Sequence, residues 1–230
     1  MRSALCAALA ISICSPAFAA MEMFSPDATW IRAGFPDVVQ ETADPTRVNA
    51  DDFGMATENR ILIRDDSIFP TIPMGSTIDS AILTLYLNNG SANTLNVHQV
   101  TESWSESTVT WNNFSATPGG AAGVDYLSTP AVSFTPGPHG SDSSNPVSND
   151  IDITSVVQSW SDNGMNEGII LISSGGDGVT YRSDDASAFT PKLTVNYSTA
   201  AIPEPSSFAL FGLVACGYGL RKRYLKRQAS

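Results

Sequence analysis

Ser80–Asn89 reads SAILTLYLNN, in which Ala81, Leu83, Leu85 and Leu87 fall on one side of an extended chain and Ile82, Thr84 and Tyr86 on the other. Side chains of a strand alternate between two faces, so a period of two sends the leucine face into a core and the mixed face outward. Working outward, KLTVNY (192–197) sets Leu193, Val195 and Tyr197 against Lys192, Thr194 and Asn196, and TLNVHQV (94–100) sets Leu95 and Val97 against Asn96 and His98. NRILIR (59–64) and GIILIS (168–173) are short apolar runs with the β-branched content of buried strands. Between them lie NNGSANT (88–94), TPGG (117–120), TPGPHGSDSSNP (135–146) and SGGDG (174–178), built from residues that accept positive φ or pre-set a turn. Short strands with this punctuation predict an all-β protein, an antiparallel β-sandwich of jelly-roll type.

One segment has a different period. In DITSVVQSWSDNG (152–164), Ile153, Val156, Val157 and Trp160 follow the i, i+3, i+4, i+7 spacing of a short helix. Asp152 or Thr154 can cap its start and Gly164 can end it. The helix is expected over an open end or edge of the sandwich, with Trp160 in the core.

The two ends carry addresses. Met1–Ala20 has an early cation, Arg2, an apolar run from Ala4 to Ile13, and the small-x-small pattern Ala17-Phe18-Ala19, the marks of a secretory signal peptide cut by signal peptidase. At the other end Pro203-Glu204-Pro205 precedes thirteen uncharged residues, Phe208–Leu220, and then Arg221, Lys222, Arg223, Lys226 and Arg227. A helix of that length reaches roughly 20 Å against about 30 Å of hydrocarbon, so it suits a transient stop in the inner membrane better than a lasting span. Its cations would stay on the cytoplasmic side. These three parts in order resemble the PEP-CTERM sorting signal of Gram-negative bacteria. The resemblance implies processing near Pro203-Glu204-Pro205 by an exosortase and delivery to the cell surface or an extracellular matrix. The expected organisation is therefore a signal peptide at 1–20, a sandwich domain at 21–200 and a sorting tail, with a short hydrophobic helix, at 201–230.

Charge narrows the partners. The chain has 12 Lys+Arg and 23 Asp+Glu. Without Arg2 and the five tail cations, 6 basic residues remain; without Glu204, 22 acidic ones, so the body carries a net charge of −16. Such a body repels phosphate backbones and excludes nucleic acid as a partner, while favouring solubility or divalent cations. Cys6 and Cys14 leave with the signal peptide and Cys216 lies in the tail. The exported domain thus has no disulfide, thiolate zinc site or cysteine nucleophile, and its stability must come from core burial.

The body also resembles a family. ENRILIRDDSIFPTIPMGSTIDSAILTLYL (58–87), LNVHQVTESWSESTVTWNN (95–113), IDITSVVQSWSDNGMNEGIILISS (151–174) and VTYRSDDASAFTPKLTVNY (179–197) follow the block order of the DNRLRE domain. That domain is a β-sandwich of secreted proteins grouped with carbohydrate-binding modules. Asn59, Arg60 and Arg64 match its name-giving hexapeptide in kind, while Ile63 and Asp65 depart from it. The resemblance implies binding of an extracellular polysaccharide, in some members an acidic, alginate-like one, and no catalysis.

Several residues have the chemistry for this. In WSESTVTWNN (104–113), exposed Trp104 and Trp111 can stack on sugar rings while Asn112 and Asn113 bond hydroxyls; alternatively both indoles pack as scaffold. Tyr86 and His98 are platforms if the polar faces of their strands are open. Arg60 and Arg64 share strand parity with Leu62 and can clamp a uronate, or can pair internally with Asp65, Asp66, Asp184 or Asp185, as Arg182 also can. Asp51-Asp52, Asp65-Asp66, Asp177 and Asp184-Asp185 put oxygen ligands on turns, which suits a structural calcium, although no EF-hand spacing is present. There is no G-x-S-x-G, H-E-x-x-H or phosphate loop, and paired carboxylates among 22 acids single out no glycosidase site. A matrix protein without a sugar site and a small polysaccharide-degrading enzyme are the competing readings.

Overall fold

The leucine face of residues 80–89 does lie against a second sheet. The computed structural model describes residues 19–50, 58–137 and 144–199. The sorting tail, the expected signal peptide up to Phe18, Asp51-Asp52 and His139 lie outside the described residues. In chain order the elements are β1 (Ala19–Phe24), β2 (Asp27–Arg32), β3 (Thr46–Val48), β4 (Asn59–Arg64), α1 (Ile68–Thr71), β5 (Thr77–Asn89), β6 (Leu95–Gln99), β7 (Val132–Phe134), β8 (Val147–Asp152), α2 (Thr154–Asn163), β9 (Ile169–Ser173), β10 (Val179–Tyr181) and β11 (Lys192–Ser198). Besides the helix expected from periodicity there is thus a single turn, α1, ahead of β5.

Two antiparallel sheets result, one ordered β1-β11-β5-β10-β3 with β8 also on β5, the other β2-β4-β9-β6-β7. β5 is long enough to serve both its edges: Thr84 pairs with Lys192 of β11 and with Asp150 of β8. The core between the sheets takes Ala81, Leu83, Leu85 and Leu87 from β5, Leu193, Val195 and Tyr197 from β11, and Ile61, Ile63, Ile169 and Leu171 from the facing sheet. Each fully buried leucine contributes about 1.5–3 kcal/mol, which is how a sandwich with no cysteine among the described residues holds together.

β8 stops at Asp152, and α2 takes over the edge of β5 that it leaves. The Ala81 amide donates to Thr154 Oγ1 at 2.9 Å and the Ile78 amide to Gln158 Oε1 at 2.8 Å. The helix turns Val156, Val157 and Trp160 into the core, as its spacing predicts. Asp152 Oδ1 accepts from the Thr154 amide and hydroxyl, at 2.9 and 2.6 Å, and these bonds hold its carboxyl below the usual range. Gly164 ends the helix at φ 68°, a left-handed conformation that costs other residues about 1 kcal/mol. Gly164→Ala is therefore expected to lower unfolding free energy by about 1 kcal/mol in a urea titration.

β4 and β9 do not alternate because both of their faces are covered. Ile61 and Ile63 enter the inter-sheet core, whereas Leu62 and Ile170 point the other way, into a second core. No helix among the described residues is long and apolar enough to cross a membrane.

Candidate functional site

The two outer faces of the sandwich are finished differently. On the five-stranded sheet, the connection from β6 to β7 folds back over the outer side. It buries Val100, Trp104, Val109, Phe114 and Tyr126 against Ile31, Leu62 and Ile170, with Trp111 packed at the margin. Trp104 is 7% exposed. Its Nε1–H donates to the Glu167 carbonyl at 2.8 Å and its ring lies under the Arg64 guanidinium at 5.0 Å. This indole is therefore in a core, not on a sugar-facing surface.

The arginines that could either clamp a uronate or pair internally do the latter, and hold this cover in place. Arg60 Nε pairs with Glu58 at 2.8 Å, while its Nη1 donates to the carbonyls of Gly119 at 2.7 Å and Gly120 at 3.1 Å. Its guanidinium lies 5.3 Å from the Trp111 ring and 5.6 Å from Tyr126. A Cβ on Gly119 would come within 2.5 Å of the Trp111 ring, so TPGG is shaped by the indole beside it. Arg64 pairs with Asp66 at 2.8 Å and Glu167 at 3.3 Å, and Arg182 with Asp44 at 3.0 Å. Of the acids expected to pair with them, only Asp66 does so among the described residues. Asp65 instead accepts the Ser67 amide at 2.8 Å.

Asn112 and Asn113 are exposed but engaged. Asn112 Nδ2 donates to Asp37 at 2.8 Å. Asn113 closes a turn, accepting the Thr110 amide at 2.7 Å and donating to the Thr108 carbonyl at 2.8 Å. His98, a platform only if the polar face of its strand were open, is 7% exposed beneath the same cover. Its Nδ1 lies 2.7 Å from the Leu127 carbonyl, and burial lowers its pKa.

Carboxylates also converge at the cover. Oxygens of Asp27 at the start of β2, Glu106 in the cover and Asp184 after β10 lie within 4.8 Å of one another. Asp184 Oδ1 accepts the Ala28 amide at 2.8 Å, whereas Glu106 Oε1 is shut off from solvent and accepts no hydrogen bond. Burial, then the neighbouring Asp184 and Asp27, push the Glu106 carboxyl up to about 8. Asp27 and Asp184 are raised as well, burial being the main cause in each. Calcium takes oxygens at about 2.3–2.6 Å, so three ligands around one ion would fall at this spacing. Asp184 was legible as a candidate ligand; nothing in the sequence joins it to Asp27 and Glu106.

The outer face of the six-stranded sheet is open. Met21 and Met23 of β1 are 61% and 71% exposed, Lys192 is exposed, and Thr84, Tyr86, Thr194 and Asn196 are half-buried. Thr84 donates to Asp150 at 2.7 Å and Asn196 to Ser80 at 2.8 Å, hydrogen-bonded pairs that hold these polar groups on the outer face. Tyr86 lies there as its parity predicts. Its ring meets that of Phe189, from the β10–β11 connection, with centroids 5.4 Å apart and planes at 57°. Phe189 escapes sequence reading because its segment, SDDASAF, has no period.

Residues 68–197 match carbohydrate-binding module family 96, and residues 201–223 match the PEP-CTERM protein-sorting motif that directs exosortase sorting. No curated protein matches the chain. With a two-sheet antiparallel sandwich and a match across more than half its length, the chain belongs to carbohydrate-binding module family 96.

Proposed function

We propose that this chain is an exported, non-catalytic surface or matrix protein of a Gram-negative bacterium that binds extracellular polysaccharide on the outer face of its six-stranded sheet. The observation that carries the reading is the asymmetry of the sandwich: one outer face is sealed by a folded-back connection, and the other presents Tyr86 among hydroxyl and amide groups. A half-exposed phenol ring supplies a stacking surface, and the flanking groups supply hydrogen bonds to sugar hydroxyls. Trp111, at the margin of the cover, and Asn112 and Asn113 beside it make a secondary contact region at most. Arg60 and Arg64 serve the acidic-glycan version of this reading poorly, because a clamp would have to break ion pairs already made.

In the same proposal signal peptidase and exosortase act as processing partners, the latter at Pro203-Glu204-Pro205, with the inner membrane as a way station. A structural calcium is assigned to Asp27, Glu106 and Asp184, where it would tie the cover to both sheets.

Affinity electrophoresis of the exported chain through gels containing extracellular polysaccharides tests the binding. Retardation on at least one glycan is expected, and Tyr86→Ala is expected to abolish it with little change in melting temperature. Free migration through every glycan would sink the reading.

A further inference from the structure

Resting on the signal-peptidase part of that reading, we infer that β1 is a latch that sets the order of maturation: the signal peptide has to be cut off before β1 docks on β11. The small-x-small pattern Ala17-Phe18-Ala19 puts the cut at the Ala19–Ala20 bond. In the fold that bond is not in a linker ahead of the domain. It joins the first two residues of β1, and a cut one residue later would fall inside the same strand. The strand is already paired there: Ala19 stands opposite Ser198 and Ala20 opposite Tyr197, in a register that runs on to Phe24 and Leu193.

Docking and cutting compete for the same backbone. A trans peptide aims its carbonyl and its amide in opposite directions, so one of the two groups of the scissile unit is turned toward β11. A peptidase has to hold extended chain on both sides of the bond, and from Ala19 onward one edge of that chain is taken by β11. The strand is also anchored away from the cut: Phe24 is 6% exposed in the inter-sheet core, and Ala20 packs against that core. Freeing the bond therefore works against buried side chains. β1 is the end strand of its sheet, so β11 can pair with β5 before β1 arrives, which leaves an interval for the cut. The step is a hydrolysis: the hydroxyl of water goes to the Ala19 carbonyl carbon, whose carboxyl leaves with residues 1–19, and the proton goes to the Ala20 nitrogen. The new amino terminus then settles opposite Tyr197 and the sheet closes. Ser198, the partner of Ala19, stands five residues before Pro203, so the chain enters and leaves the sandwich at one corner.

The test uses the full precursor, both ends intact, diluted from urea into detergent micelles. Purified bacterial signal peptidase is added either at the moment of dilution or after refolding is complete, and products are followed by gel and N-terminal sequencing. Ready cutting at the start of β1 is expected in the first case, and cutting at least about tenfold slower in the second, because cleavage of a folded chain tracks the population of its opened form. Phe24→Ala removes the anchor of β1 four residues from the cut and should restore fast cutting of the refolded precursor while its circular dichroism stays native. Equal rates before and after refolding would overturn the inference, and resistance that survives Phe24→Ala would overturn the part played by β1. Should that variant fail to fold, the parent in urea below its unfolding transition serves instead, since an end strand opens before the core. Cutting should then quicken while the circular dichroism is still native; quickening only together with global unfolding would overturn the latch. No cut at the start of β1 in either order of addition would remove the signal-peptidase reading itself, and this inference with it.

Discussion

Trp104→Ala is expected to lower unfolding free energy by about 3–5 kcal/mol, and the melting temperature by roughly 10 °C, in thermal or urea denaturation followed by circular dichroism. The indole is 7% exposed, so its removal leaves a void in the outer core among Leu62, Val109 and Ile170. It also strands the Glu167 carbonyl that its Nε1–H satisfies and uncovers the Arg64 guanidinium that lies over its ring. Trp104→Phe keeps most of the volume and loses the hydrogen bond, so a smaller loss of about 1–2 kcal/mol is expected. Glycan retention should follow the folded fraction in both variants. Retention lost at an unchanged melting temperature would return Trp104 to the sugar site.

Glu106→Gln is expected to flatten the pH dependence of stability in EDTA. The folded carboxyl titrates near 8 against an ordinary value of 4.5, so between these values the folded state holds a proton that the unfolded chain has released. Stability contributed by such a group is greatest at low pH and falls as pH rises through that window. The full separation would be worth several kcal/mol at about 1.36 kcal/mol per unit, but solvent reaches part of this side chain, and about 1–2 kcal/mol is the expected loss between about pH 5 and 8. The amide that replaces this carboxyl has no proton to lose there, so the variant should match the parent near pH 5 and exceed it near pH 8. Millimolar calcium should raise the parent's melting temperature near pH 8 by several degrees and leave Glu106→Gln nearly unmoved. An equal calcium effect on both proteins would show that any ion acts elsewhere; a flat parent in EDTA would show that the three carboxylates do not hold a proton in common.

How much of this was legible follows from how each segment is buried. β5 and β11 read cleanly because each has one core face and one open face, which writes a period of two into the sequence. α2 read cleanly because Val156, Val157 and Trp160 all meet the same core. β4 and β9 read as buried strands without alternation, and the reason is the second core: both their faces are covered. WSESTVTWNN resisted because it belongs to an irregular connection. No period orients its indoles, and an exposed stacking Trp and a buried scaffold Trp have the same spelling.

Composition and periodicity by themselves determined an acidic, all-strand sandwich with one edge helix, since net charge and alternation are sums over local residues. The sorting motif at residues 201–223 was equally local, a short run of ordered residue types. Tertiary structure alone decided which outer face is sealed. It brought together Asp27, Glu106 and Asp184, which lie far apart in the chain, and it laid Phe189 against Tyr86. It also gave Arg60 and Arg64 to internal carboxylates. The physical reason is common to all of these: they are meetings fixed by packing, and only packing sets the distances on which stacking and ion pairing depend.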